Sequence, residues 1–245
     1  MPPKRLALAT NSLLKRQEKE TNAGYRHQEN TMKTKVIAVA QVKGGSGRST
    51  LATTLAGELS KQGDTVLVDC DMPQGTSASW YAMREEAGRT GRLHLDTAAS
   101  HLEAIQKTEL HTGSAQFIVL DGPPRIAEMT RAMTLLADLV LVPAGASLAD
   151  LWATGDVLAM VTEAKAVKRI KARLVWTRHR GFINQAKALT EQAKGELGIK
   201  ALDTTMGLRV AYVDALGSGM TAAETVDAQA RAEVQALIAE VCAIL

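Results

Sequence analysis

The residues best suited to chemistry lie between Lys43 and Thr50, in the run Lys43-Gly44-Gly45-Ser46-Gly47-Arg48-Ser49-Thr50. An apolar strand-like segment leads into this run, and a helical pattern over residues 51–62 follows it. Strand, glycine-rich loop and helix together make a cradle for phosphate. Glycines let backbone N–H groups turn inward toward anionic oxygens, the helix N-terminus adds its positive end, and the Ser49 hydroxyl is available to Mg²⁺. The spacing GxxxxGK[ST] is not met in full, because Val42 stands at the first glycine and Arg48 where lysine is expected. By spacing alone the loop is a degenerate P-loop. A dinucleotide fingerprint is the rival, with Gly45-Ser46-Gly47 followed by Asp69, but Thr50 stands at its third glycine.

Two acid-ended segments decide between these. TVLVD runs into Asp69-Cys70-Asp71, and FIVLD ends in Asp121 before Gly122-Pro123-Pro124. Parallel strands would place these carboxylates at the carboxyl edge of the sheet, beside the loop, where carboxylates hold Mg²⁺ or orient water. A single acid after a strand is most simply a helix cap or a turn. Three acids with a phosphate loop at one edge favour a nucleotide site.

The elements that must position these groups are legible as apolar runs near 35–41, 65–70, 93–96, 116–121, 138–143, 171–177 and 199–204, with helical patterns between them. VIAVA, TVLVD, FIVLD and LVLVP are apolar on both faces, as in parallel strands covered on each side. The expected fold is a doubly wound α/β sheet, mostly parallel and flanked by helices. A closing helix over residues 227–245 would pack a stripe of Val234, Leu237, Ile238, Val241, Ile244 and Leu245 on that sheet. With 46% hydrophobic and 22% charged residues in 245, the chain has material for a substantial core, and global disorder is excluded. Aromatics are 3%, too few for base-stacking platforms. Cys70 and Cys242 have no metal-ligand spacing and read as small buried hydrophobes. No run approaches the about 18 apolar residues that span a bilayer, and the start lacks a signal-peptide pattern, so a cytoplasmic protein is expected. Residues 1–33 carry seven Lys/Arg against three Glu and lack an apolar period. They read as a basic, largely disordered extension to a single domain over 34–245, or as sequence upstream of a natural start at Met32.

Taken together, KGGSGRST, VDCDMPQ and VLDGPP resemble the deviant Walker A, A′ and Walker B motifs of the ParA/MinD group of P-loop ATPases. LVPAGASLADLWATGDVL, ARLVWTRHRG and RVAYVDALGSGMTAAE resemble segments of the small ParF-type partition proteins, and the likeness covers about residues 34–245. What this implies is an ATPase using ATP and Mg²⁺ that pairs into a homodimer on ATP, with Lys43 reaching the partner's nucleotide. By the same resemblance, residues Gly44 to Thr50 hold the phosphates, Ser49 and Asp121 hold Mg²⁺, and Asp71 serves the metal and the attacking water. Pro143, Thr177 and Arg178 would lie near the base. The family's partners would be non-specific double-stranded DNA and a ParB- or ParG-like adaptor on the cargo. Met72 adds one residue before Pro73-Gln74, and Arg48 replaces the loop lysine; slow hydrolysis with retained binding is the expectation.

Lys165, Lys168, Arg169, Lys171, Arg173, Arg178 and Arg180 fall in one stretch without an acid. They read either as a solvated face or as a DNA phosphate patch made continuous by dimerisation. Four such contacts would give a salt slope of roughly −4. Arg209 is a further candidate, with ion pairing as its alternative. The acid-flanked C-terminal stripe is unlike a membrane-binding helix, so no membrane partner is expected.

Overall fold

The computed structural model describes residues 33–179 and 183–245, the side chains at 183–187 and 194 excepted. Seven strands form one parallel sheet in the order β3-β2-β4-β1-β5-β6-β7. They are β1 (Lys35–Val39), β2 (Thr65–Asp69), β3 (Leu93–Thr97), β4 (Phe117–Asp121), β5 (Leu139–Gly145), β6 (Lys171–Thr177) and β7 (Lys200–Ala201). The order reverses around β1, so the crevice at its carboxyl end is the place where such a sheet binds ligands.

Alternate residues of β1, β2, β4, β5 and β6 feed two separate cores. Ala38, Val68, Leu120, Val142, Leu174 and Trp176 face the layer made by α3 (His101–His111), α4 (Ala127–Leu136), α5 (Leu148–Trp152), α6 (Gly155–Lys165) and α7 (Ile183–Leu197). Ile37, Val39, Leu67, Val119, Leu141 and Val175 face α1 (Arg48–Leu59), α2 (Thr76–Glu86), α8 (Val210–Gly217) and α9 (Ala228–Ile244). The two-sided apolarity of the strands is thus what lets helices cover both faces.

Local chemistry sets the helix ends. Ser100, Ser147 and Asp227 cap α3, α5 and α9 by accepting first-turn N–H groups. Helix α1 starts at Arg48, three residues before the sequence pattern placed it, because Gly47 at φ 91° turns the chain directly into the helix. The last strand is shorter than expected. Glu240 of α9 accepts the N–H groups of Asp203 and Thr204 at 2.9 and 3.0 Å, which takes the chain off the sheet after Leu202. Val234, Leu237, Ile238 and Val241 of the α9 stripe are buried in the core and Ile244 and Leu245 at its end only partly so, and among the described residues no helix is long and apolar enough to cross a membrane. The basic extension lies outside the described residues except for Lys33.

Leu55 of α1 is fully buried, whereas Leu110 of α3 is 66% exposed. Leu55→Ala is expected to lower unfolding free energy by about 2–5 kcal/mol, and Leu110→Ala by less than about 0.5 kcal/mol. Urea titration of the two variants checks the assignment, and equal losses would contradict it.

Candidate functional site

Strand β1 and α1 leave residues 40–47 to turn around an anion-sized cradle. Gly45 at φ 69° and Gly47 at φ 91° sit in the left-handed region, where a side chain would be strained. The loop is strapped from two sides. Thr177 at the end of β6 donates its hydroxyl to Ser46 O at 2.7 Å. Gln41 accepts from the N–H of Val42 at 2.9 Å and donates to Pro143 O at 3.2 Å.

Arg48 lies beneath the loop rather than above it. Its Nε donates to Gly122 O at 2.8 Å, and its Nη1 to Gln41 O at 2.7 Å and Lys43 O at 2.6 Å. Burial lowers its pKa, while Asp121 and Asp71 pull the other way. The guanidinium therefore joins the phosphate loop to the turn after β4. Lys43 points out of the cradle instead, half-exposed, with Nζ 2.5 Å from Asp150 Oδ1. Asp150 is itself held by the Ser147 hydroxyl at 2.7 Å.

The three acids at this edge have different duties. Asp69 is committed to structure, accepting the N–H groups of Asp71 at 3.0 Å and Ala78 at 2.9 Å. Asp121 is fully buried, and burial pushes its pKa up to about 7 against the stabilising hydroxyls of Ser77, which is hydrogen-bonded to it, and nearby Ser49. Ser77 donates to Oδ2 at 2.7 Å, and Oδ1 has no hydrogen-bond partner. Partial burial raises the Asp71 pKa, with Arg48 opposing. A buried carboxylate oxygen with an open lone pair, beside the Ser49 hydroxyl, fits a hard divalent cation that completes its shell with water and phosphate oxygens. Among the described residues no group of three His, Cys, Asp or Glu could hold a metal with side chains alone. Cys70 is buried, and burial pushes its thiol pKa far up, so it acts as a small hydrophobe.

Beside the loop is a cavity of about 290 Å³. Gly45, Gly47, Thr50, Thr177 and Arg178 line its polar side, and Met206, Leu208, Tyr212, Val213 and Leu216 its apolar wall. The combination suits a base and ribose next to phosphate. Of the sequence candidates for the base, Thr177 and Arg178 are at this cavity and Pro143 is not. Pro143 is an internal residue of β5, opposite Val175, and supports the loop through Gln41.

Within one copy the sheet divides the basic stretch. Lys165, Lys168, Arg169 and Lys171 gather at the amino-terminal edge. Arg178 lies at the nucleotide-sized cavity, at the other end of β6. Seven strand residues separate them by roughly 20 Å. Arg173, between them, is half-buried and donates to Ala172 O at 2.8 Å. Arg180 lies outside the described residues. Arg209 is an ion-pairing residue: its guanidinium donates to Glu233 Oε1 at 2.6 Å and to Gln229 at 2.7 Å. The residues missed from sequence are Gln41, Ser77, Asp150 and the wall at 206–216. Their types are common, and no local spacing marked the first three.

The family model described as ATPase MipZ matches residues 35–192. Maintenance of carboxysome distribution protein A from Halothiobacillus neapolitanus is 30% identical over 191 residues, covering 76% of this chain and 85% of that protein. The chromosome-partitioning ATPase Soj of Thermus thermophilus is 28% identical over 221 residues, covering 78% and 88%. In structure, the septum site-determining protein MinD of Pyrococcus horikoshii, complexed with Mg-ADP, superposes with a TM-score of 0.64 at 15% identity, over 86% of this chain and 98% of that one. At that identity the likeness is one of fold.

Removing the Ser77 hydroxyl leaves a second Asp121 oxygen unpaired in a buried site. Ser77→Ala is expected to lower stability by about 1–3 kcal/mol in urea titration. A loss below about 0.5 kcal/mol would show that the bond contributes little.

Proposed function

The chain belongs to the MipZ family of ParA-like ATPases, and we propose that it is a MgATP-operated switch that pairs two copies, binds non-specific DNA while paired, and is released when an adaptor on its cargo stimulates hydrolysis. The observation that carries this reading is the direction of Lys43. Arg48 already fills the space under the chain's own loop, and Lys43 projects from the loop's open side, held aside by Asp150. A cation in that place serves the nucleotide of a second copy better than its own.

Within each copy, the N–H groups of Gly44 to Thr50 hold the phosphates, with the positive end of α1 behind them. Ser49 and Asp121 hold Mg²⁺, with Asp71 on the adjacent turn. When bound, the cation supplies counter-charge on the phosphate oxygens and to the buried Asp121. Asp71 orients the attacking water, and Thr177, Arg178 and the apolar wall hold the base. The cargo is a plasmid or similar DNA element, or else a large protein assembly. The names of the relatives, one for carboxysome distribution and one for chromosome partitioning, support both kinds.

The test is binding to duplex DNA at one fixed salt concentration without nucleotide, with MgADP and with MgATP. Binding to DNA-dense beads at least tenfold tighter in MgATP, with that gain and dimerisation both lost in Lys43→Gln, is the expected result. Equal binding in all three states, or none in any, would remove the switch.

A second reading, a switch that works through occupancy with little turnover, is favoured by the three carbonyl bonds of Arg48. Catalysis of phosphoryl transfer depends on positioning, and a guanidinium tied to Gln41, Lys43 and Gly122 is not free to follow a γ-phosphate. Arg48→Lys, with a compact ammonium, is expected to raise ATP turnover several-fold at similar nucleotide affinity. Unchanged turnover would count against this second reading.

A further inference from the structure

At the amino-terminal edge of the sheet, opposite the phosphate loop, lies an open cavity of about 720 Å³. Its rim carries Lys33 and Lys35 from the start of β1, Lys165, Lys168 and Arg169 from the end of α6 and the following turn, and Lys171 from the start of β6. Asp138 is the single acidic side chain on the lining, and its Oδ2 accepts the N–H of Val36 at 3.0 Å. Compensation of the α6 dipole accounts for Lys165 and Lys168, but not for cations that arrive from β1 and β6. Three of the six are braced by backbone carbonyls. Lys168 donates to Leu136 O at 2.9 Å, Lys35 to Leu245 O at 2.7 Å, and Lys171 to Ile244 O. Lys33, Lys165 and Arg169 are exposed and make no side-chain hydrogen bond or ion pair among the described residues.

Six cations from three segments around an open bowl form no closed pocket for one phosphate. They suit a row of phosphates, which is the chemistry of a nucleic-acid backbone. We propose that this bowl is where each copy takes duplex DNA, and that a nucleotide-bridged pair therefore holds two DNA segments at once. The second part rests on the pairing proposed above. Copies that meet through the carboxyl edge place their amino-terminal edges outermost and facing apart. Each sheet is roughly 20 Å deep along its strands, so the two bowls lie about 40 Å or more from one another. ATP then adds a second DNA site to the same unit without touching the bowl, and pairing tightens binding only where both bowls reach DNA at once, as on crowded or looped DNA.

The experiment uses the full chain, one duplex fixed to beads and a second, labelled duplex in solution. The wild type in MgATP is expected to retain the labelled duplex on the beads. Lys43→Gln is expected to keep the weak contact with one duplex and to capture no second. A K165E/R169E double variant is expected to bind one duplex at least tenfold more weakly, to capture no second, and to flatten the salt slope by about 2 or more, while its MgATP-dependent dimerisation, read by light scattering, stays intact. Unchanged affinity and slope in that variant would overturn the bowl and leave nucleotide-switched DNA binding standing. Tight MgATP-dependent binding by the wild type with no captured second duplex would overturn the bridging. No DNA bound in any state would overturn the proposal with the function beneath it, and sedimentation with anionic phosphatidylserine vesicles in its place would assign the bowl to lipid.

Discussion

The register of three parallel strands governs the site. Val39 of β1 lies opposite Asp121 of β4, and Asp121 lies opposite Asp69 of β2. Three segments far apart in sequence thus end level, and whatever follows them is forced into one crevice. The loop after Val39, the turn after Asp121 and the acids after β2 are neighbours because side chains of parallel strands align at period two. A slip of one residue in β4 would move Asp121 to the other face and put Leu120 at the cradle. The apolar residues preceding each end fix the register: Ile37, Val119 and Leu67 are fully buried on one side, Ala38, Leu120 and Val68 on the other.

That alignment has an electrostatic consequence. Bringing strand ends together under covering helices buries Asp121 completely and most of Arg48. Charges taken out of water need partners or change protonation. Arg48 meets the demand with three carbonyls from two turns, which also makes the loop and the Asp121 turn move as one body. Asp121 meets it only in part, with one oxygen on Ser77 and the other unpaired. Gly122 is required at the same point, since a Cβ there would come within 2.9 Å of Val39 O. One carboxylate oxygen is thus left open, and the proposed cation site rests on it.

Much of this was legible in the chain because it is encoded locally. Strands apolar on both faces, the glycines of 44–47 and the acids closing TVLVD and FIVLD each occupy a few consecutive residues, and the structure has them where those patterns put them. The groups that were not legible act across long separations. Ser77 reaches Asp121, Asp150 reaches Lys43 and Glu233 reaches Arg209, and nothing in an isolated serine or acid announces such a partner. Pro143 stands in a recognisable segment, yet its carbonyl accepts from Gln41 and it is not among the residues that line the cavity. The basic stretch divides because of the length of β6. Residues adjacent in sequence share a surface in a loop or on a helix face, but a seven-residue strand carries the two ends of the stretch to opposite edges of the domain.

That separation is also an argument about how such a fold transmits a signal. A parallel sheet packed on both faces is too stiff to carry small loop movements from one edge to the other as graded distortion. The loop, the Asp121 turn and the Lys43–Asp150 contact all lie at the carboxyl edge, where a rearrangement changes which surface is presented outward. Lys43 is the clearest case. Its ion pair with Asp150 is 43% exposed on the lysine side, so it contributes little to folding, and giving it up leaves the core undisturbed. A residue held by a weak contact at the rim, above a cradle held by strong contacts beneath, lets a bound anion change the outer surface while the sheet stays as it is. Communication with the far edge then needs a second molecule, and the rigidity of the sheet is what makes that route the available one.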